Sequence, residues 1–152
     1  MPLLPDELQA VAERFPDRVA VDVIDGDAMT FAAWDARSNT LARTLVDRGV
    51  GPGDRVMLLL PPELADRFAI AYVAAHKAGA VVVPVNPRYA PRELDHIAAS
   101  ADPALIVTGG DQESRANALS THVVGDAAWS DATGGDSKRF RVPRAPSDLA
   151  EI

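Results

Sequence analysis

The sequence predicts an α/β fold: a Rossmann-like, three-layer arrangement in which a parallel sheet is flanked by helices, with a small β-hairpin beside it. Three observations predict it. The predicted strands 55–60, 80–85 and 104–108 carry unbroken apolar stretches, such as Val56 to Leu60, rather than alternating ones, the pattern of strands covered on both faces. Segments with apolar residues at helical spacing separate them, and Gly and Pro stand at the junctions where helices and strands must stop. Strand, helix, strand, helix, strand is the α/β pattern, joined by right-handed crossovers.

Each element follows from its residues. Asp6 stands where it can cap a first helix, in which Leu8, Val11, Ala12 and Phe15 recur at helical spacing. The β-rich run 19–24 meets Asp25-Gly26, a favoured turn pair, before Met29-Thr30-Phe31, which predicts a short hairpin. Thr30 caps a helix over 31–48 whose Trp34, Leu41 and Leu45 share a face with the small Ser38 and Ala42, and Gly49 terminates it. Gly51-Pro52-Gly53-Asp54 turns the chain into the strand 55–60. Pro61-Pro62 ends that strand, and Pro62 opens a helix through Lys77. The apolar surface of this helix, Leu64, Phe68, Ala71, Tyr72 and Ala75 widened by Ile70, Val73 and Ala74, is broad enough to be covered on most sides.

Gly79 stops it. Strand 80–85, helix 91–100 and strand 104–108 come next, with Pro84 and Pro87 limiting the first of these strands. A shorter helix over 114–119 and a strand over 121–124 extend the series. From 125 to 147 the chain is polar and aperiodic, which reads as an exposed loop or linker. The expected organisation is an N-terminal α/β unit over 1–124, that linker, and the start of another strand at 148–152.

Bulk properties narrow the function. At 152 residues the chain can bury roughly 70% of its unfolded surface in one core. With 47% hydrophobic and 24% charged residues it is neither disordered nor fibrous in character. A net charge of -7 argues against binding the phosphate backbone of nucleic acids. The absence of cysteine excludes disulfides, thiol nucleophiles and cysteine-ligated zinc. The opening residues lack the basic start and apolar core of a signal peptide, and no apolar run approaches the ~18 residues of a membrane span, so the expected location is the cytoplasm.

Candidate motifs are sparse. Gly49-Val50-Gly51-Pro52-Gly53 lies between a helix and a strand, the reverse of the order in which a glycine-rich loop feeds phosphate to a helix N-terminus. Thr133-Gly134-Gly135-Asp136-Ser137-Lys138 lacks P-loop spacing. His76, His96 and His122 are too scattered to suggest a metal site. Arg37 and Asn39 read as solvated or capping groups. Asn86, Arg88 and Tyr89 follow the carboxyl end of a parallel strand, where open α/β sheets place ligands, and are the candidates for lining a substrate channel. No residue is assigned a catalytic, cofactor-binding or metal role.

Four blocks in order resemble the N-terminal part of the adenylate-forming, AMP-binding superfamily of acyl-CoA synthetases, luciferases and peptide-synthetase adenylation domains. They are Phe15-Pro16-Asp17-Arg18-Val19-Ala20-Val21, Met29-Thr30-Phe31-Ala32-Ala33-Trp34-Asp35-Ala36-Arg37-Ser38-Asn39 and Gly49-Val50-Gly51-Pro52-Gly53-Asp54-Arg55-Val56. The fourth is His76-Lys77-Ala78-Gly79-Ala80, running on to Asn86-Pro87-Arg88-Tyr89. The likeness extends from about Leu8 to Val124, and ordered blocks at natural spacing are more specific than one short pattern.

The resemblance implies an AMP-forming acid–CoA ligase of the fatty-acid type. In that family a carboxylate attacks ATP to give an acyl-adenylate and pyrophosphate, and coenzyme A then takes the acyl group; ATP, Mg and coenzyme A serve the complete enzyme. Its phosphate loop ending in Pro-Lys-Gly, its adenine-binding and ribose-binding segments and its mobile-domain lysine have no counterpart in these residues. Residues 148–152 resemble the strand that leads into that loop. The expectation is therefore an N-terminal fragment, inactive and without a cofactor when alone. The alternative is a non-catalytic interaction module that associates with a complementary chain or a second copy.

Overall fold

The computed structural model describes residues 3–24, 26–120, 122–145, 147–150 and 152. Helix α1 (Leu4–Arg14) leads to an antiparallel pair, β1 (Val19–Val21) and β2 (Met29–Thr30). There follow α2 (Phe31–Asp47), β3 (Arg55–Leu59), α3 (Ala65–Lys77), β4 (Val81–Pro84), α4 (Pro91–Ala101), β5 (Leu105–Thr108), α5 (Glu113–Leu119), β6 (Val123–Val124) and α6 (Asp126–Thr133). Short 3-10 turns at Pro62–Leu64 and Gly110–Gln112 precede α3 and α5. Asp25 of the predicted hairpin turn and Thr121 of the predicted strand 121–124 lie outside the described residues.

Strands β3 to β6 form one parallel sheet in the order β4-β3-β5-β6. The central strand explains the layering. Val56, Met57, Leu58 and Leu59 are all fully buried, because successive side chains of a strand enter opposite cores and here both cores are occupied. Val56 and Leu58 pack with Leu41, Leu45, Ile70 and Ala74 from α2 and α3. Met57 and Leu59 pack with Leu94 of α4, Ile106 of β5 and Ala116 of α5. Each such leucine or isoleucine contributes about 1.5–3 kcal/mol through its removal from water. The predicted fold class is the observed one: a helix layer on each face of a parallel sheet, with a hairpin at the side.

Several local details differ from the sequence reading. Asp6 is the third residue of α1 rather than its cap, because Pro5 suits the first turn and starts the helix earlier; the Asp6 carboxylate accepts instead from the Leu3 amide at 3.4 Å. Thr30 does cap α2, its hydroxyl accepting from the Ala33 amide at 3.2 Å. The predicted helix 62–77 is divided into a 3-10 turn and α3. Ile70, Ala71, Val73, Ala74 and Ala75 of α3 have no exposed surface, as its broad apolar face required.

Within the predicted linker, residues 126–133 form α6. Tertiary contacts supply what the sequence pattern lacks: the Thr44 hydroxyl donates to the Ala132 carbonyl at 3.1 Å, and Arg67 lies 5.0 Å over the Trp129 ring. Residues 134–145 are also fastened rather than loose. They run along α2 as a strap, with the Thr40 hydroxyl donating to the Asp136 carbonyl at 3.2 Å. Arg43 donates to the Lys138 carbonyl at 2.9 Å and stacks 4.7 Å over Phe140. Beyond the strap the chain reaches the outer edge of β4, where the Val82 amide donates to Ala150 and the Val82 carbonyl accepts from the Ile152 amide, at 2.8 and 3.1 Å. That alternation is the parallel-ladder pattern.

Candidate functional site

In an open parallel sheet the ligand crevice lies beyond the carboxyl ends of the strands, at the point where the chain order reverses. Here the chain passes from β3 to β4 on one side and then crosses to β5 on the other, so the crevice falls between the ends of β3 and β5. The Thr108 hydroxyl bridges these ends by donating to the Leu59 carbonyl at 2.8 Å. Gly109 follows, in extended backbone. A Cβ there would lie 2.7 Å from Leu64 Cδ1, 2.8 Å from Arg67 Nη1 and 2.9 Å from Asp126 Oδ1. Leu64, Arg67 and Asp126 thus pack directly over Gly109, and glycine is the residue that lets them approach.

Asp126 stitches the surrounding loops together. One carboxylate oxygen accepts from the Gly110 amide at 3.0 Å, the other pairs with the Arg67 guanidinium, and the Asp126 amide donates to Glu113 at 3.3 Å. The Gly110 amide and then Arg67 hold the Asp126 carboxyl below the usual carboxylate range. Arg67, the cation nearest the crevice, is thus engaged by its own chain.

The three predicted channel residues share one exposed turn after β4. The Asn86 side chain accepts from the Arg88 amide at 2.9 Å and its carbonyl accepts from the Tyr89 amide at 3.2 Å, so Asn86 shapes the turn itself. The side chains of Arg88 and Tyr89 are left exposed. Sequence reasoning missed the residue that fixes this turn. Arg115 of α5 donates to the Pro87 carbonyl at 2.6 Å, to the Tyr89 carbonyl and to Gln112 at 2.9 Å. No local pattern could have paired it with residues 87–89.

A second polar cluster lies away from these strand ends, where α2 and α3 cross. Lys77 is 2% exposed, and its ammonium donates to Asp35 Oδ1 at 2.7 Å and to Asn39 Oδ1 at 2.7 Å. Asn39 in turn donates to Asp35 Oδ2 and to the Ser137 carbonyl, both at 3.1 Å. Burial pushes the Lys77 pKa down, against the opposing pull of Asp35. Asn39 is therefore buried and bonded rather than solvated or capping; Arg37, two residues earlier, is exposed. Among the described residues no group of three or more His, Asp or Glu is placed to hold a metal ion.

Residues 8–150 match the family model described as AMP-binding enzyme. A dimodular nonribosomal peptide synthase of Bacillus subtilis (strain 168) is 35% identical over 105 residues, which is 69% of this chain and 4% of that protein. The long-chain-fatty-acid–CoA ligase FadD13 of Mycobacterium tuberculosis (strain CDC 1551 / Oshkosh) is 31% identical over 120 residues, 79% of this chain and 24% of the ligase. The crystal structure of the N-terminal domain of FACL13 from Mycobacterium tuberculosis superposes with a TM-score of 0.85 at 25% identity, covering 100% of this chain and 41% of that one. The chain thus spans less than half the length of each of these proteins.

Proposed function

The chain belongs to the AMP-binding enzyme family, and from that premise we propose that it is the N-terminal scaffold of an AMP-forming acid–CoA ligase, working in the cytoplasm. The complete enzyme would use ATP with Mg to convert a carboxylic acid, a fatty acid in our reading, to an acyl-adenylate, and then pass the acyl group to coenzyme A. Similarity to FadD13 supports the fatty acid, and similarity to a peptide synthase keeps other acids within the test. Asn86, Arg88 and Tyr89 would line part of the substrate channel, at the carboxyl end of β4. By itself the chain would be inert.

One observation carries the claim of inertness. Leu64 and the Arg67–Asp126 pair pack over Gly109 at the chain reversal, which supports a crevice occupied by the chain's own side chains rather than by a nucleotide. Attack of a carboxylate on ATP also builds negative charge that cations must offset. Arg67 is paired with Asp126, and Lys77 is buried against Asp35. Neither cation is available for that role.

The test is ATP–pyrophosphate exchange on the purified chain, with labelled pyrophosphate and a panel of fatty, aromatic and amino acids. No exchange is expected with any of them. Exchange above the enzyme-free blank with a single acid would overturn inertness, and its identity would name the substrate class. A second reading, a non-catalytic interaction module, is favoured by Leu149 and Ile152, each 57% exposed beside the outer edge of β4. Sedimentation velocity with and without a complementary family fragment distinguishes it: co-sedimentation supports the module, and unchanged monomer rejects it.

A further inference from the structure

At the end of α3, Lys77, Ala78 and Gly79 form a corner that faces the strap 134–145. The Lys77 carbonyl accepts from the Val142 amide at 2.7 Å, and the Gly79 carbonyl accepts from the Arg144 guanidinium. Gly79 has φ +78, and a Cβ there would lie 3.2 Å from Val142 Cγ1, so the corner accepts the strap because this residue has no side chain. The Asn39 side chain, already holding Lys77 and Asp35, bonds the strap twice more: it donates to the Ser137 carbonyl and accepts from the Phe140 amide at 3.4 Å. All four of its hydrogen-bonding positions are in use.

The strap has little else to hold it. Among its residues Phe140, Arg141, Val142 and Arg144 are half-buried and the others are exposed. Its seating rests mainly on hydrogen bonds and ion pairs, including Arg43–Asp136 and Arg141–Asp6. Arg144 then carries the connection onward. While bonded to Gly79 it also donates to Asp148 at 2.8 Å and to the Leu149 carbonyl at 2.7 Å, immediately before Ala150 joins β4. Among the described residues, two backbone bonds and exposed apolar neighbours hold that last segment, a weak hold by itself.

We propose that Lys77, Asp35 and Asn39 are positioning residues for the sheet edge: seating the strap on them docks the segment at Ala150 and Ile152 onto β4, so that strap and segment open and close as one unit. This goes beyond the enzymatic reading and stands whether or not the complete protein is a ligase. The motif residues Asp35, Asn39, Lys77 and Gly79 then have a shared purpose, set by a stretch of chain far from all four.

Residue-resolved amide hydrogen exchange under native conditions tests it. In Asn39→Ala the amides of Phe140, Val142, Val82 and Ile152 are expected to exchange faster by a common factor of at least roughly tenfold, given the cost of leaving buried polar groups unmatched. The amides of Val85 and Ile106, which bond to Leu58 and His122 within the sheet, should keep their protection. Arg43→Met, which loses its bonds to the Asp136, Lys138 and Arg139 carbonyls and so acts on the strap alone, gives the same pattern and covers the case in which Asn39→Ala does not fold. Faster exchange at Phe140 and Val142 with Val82 and Ile152 unchanged would overturn the coupling. So would uniform acceleration that includes Val85 and Ile106, or no change anywhere.

Discussion

The Arg115 guanidinium donates to the Pro87 carbonyl at 2.6 Å, so α5 holds the turn that follows β4. Arg115→Ala removes donors to two backbone carbonyls and to Gln112 at once. The expected loss is about 1.5–3 kcal/mol, the range for hydrogen bonds from a charged group. Urea unfolding measures it, and the Tyr89 amide should exchange faster while β3 and β5 stay protected.

Gly109→Ala should be poorly tolerated although its backbone is ordinary. The added methyl meets Leu64, Arg67 and Asp126 within 2.9 Å, and displacing three groups at the crevice costs about 1–3 kcal/mol as overpacking. A lower urea midpoint at unchanged slope is the expected result. A midpoint equal to that of the parent would mean that the crevice is looser than the packing around Leu64 implies.

Asp126 sets an acid limb of stability. Its folded pKa lies below the ordinary 3.8, so its contribution is fully present above pH 3.8 and is lost as the pH falls through the folded value. Asp126→Asn should be less stable than the parent at neutral pH and should lose less of its stability on acidification below pH 3.8. Paired urea titrations at pH 6 and pH 3 read the difference.

Lys77 acts with the opposite charge and in the alkaline range. Burial lowers its folded pKa from the ordinary 10.5, so above the folded value the unfolded chain binds more protons and stability rises with pH up to about 10.5. Lys77→Met abolishes that rise while leaving Asp35 and Asn39 without their cation. The parent should gain stability relative to the variant as the pH rises towards 10.5. Parallel curves would mean that Asp35 fully offsets the burial.

The elements legible in the sequence are those whose ends are written locally. Gly79 after α3, Pro91 at the start of α4 and Thr30 before α2 fixed boundaries to within about a residue, and the unbroken apolar runs identified the parallel strands. Helix α6 escaped because its residues carry weak periodicity and its support comes from Thr44 and Arg67, both remote in sequence. Asn39 escaped for a related reason: a polar residue on a helix reads as solvated unless its partner is known, and Lys77 lies on another helix. Of the candidate site, the break after β4 was legible from Pro84 and Pro87. Neither Arg115 nor the packing over Gly109 was, since both depend on how distant loops meet.

Among the described residues, strand β4 receives its outer neighbour from Ala150 and Ile152, after the chain has formed α4, β5, α5, β6 and α6 and crossed α2. During synthesis, therefore, the apolar Val81–Pro84 stands with one side unpaired until almost all of the sequence shown here has left the ribosome. That is the interval in which this chain is most exposed to edge-to-edge association with a neighbouring nascent copy.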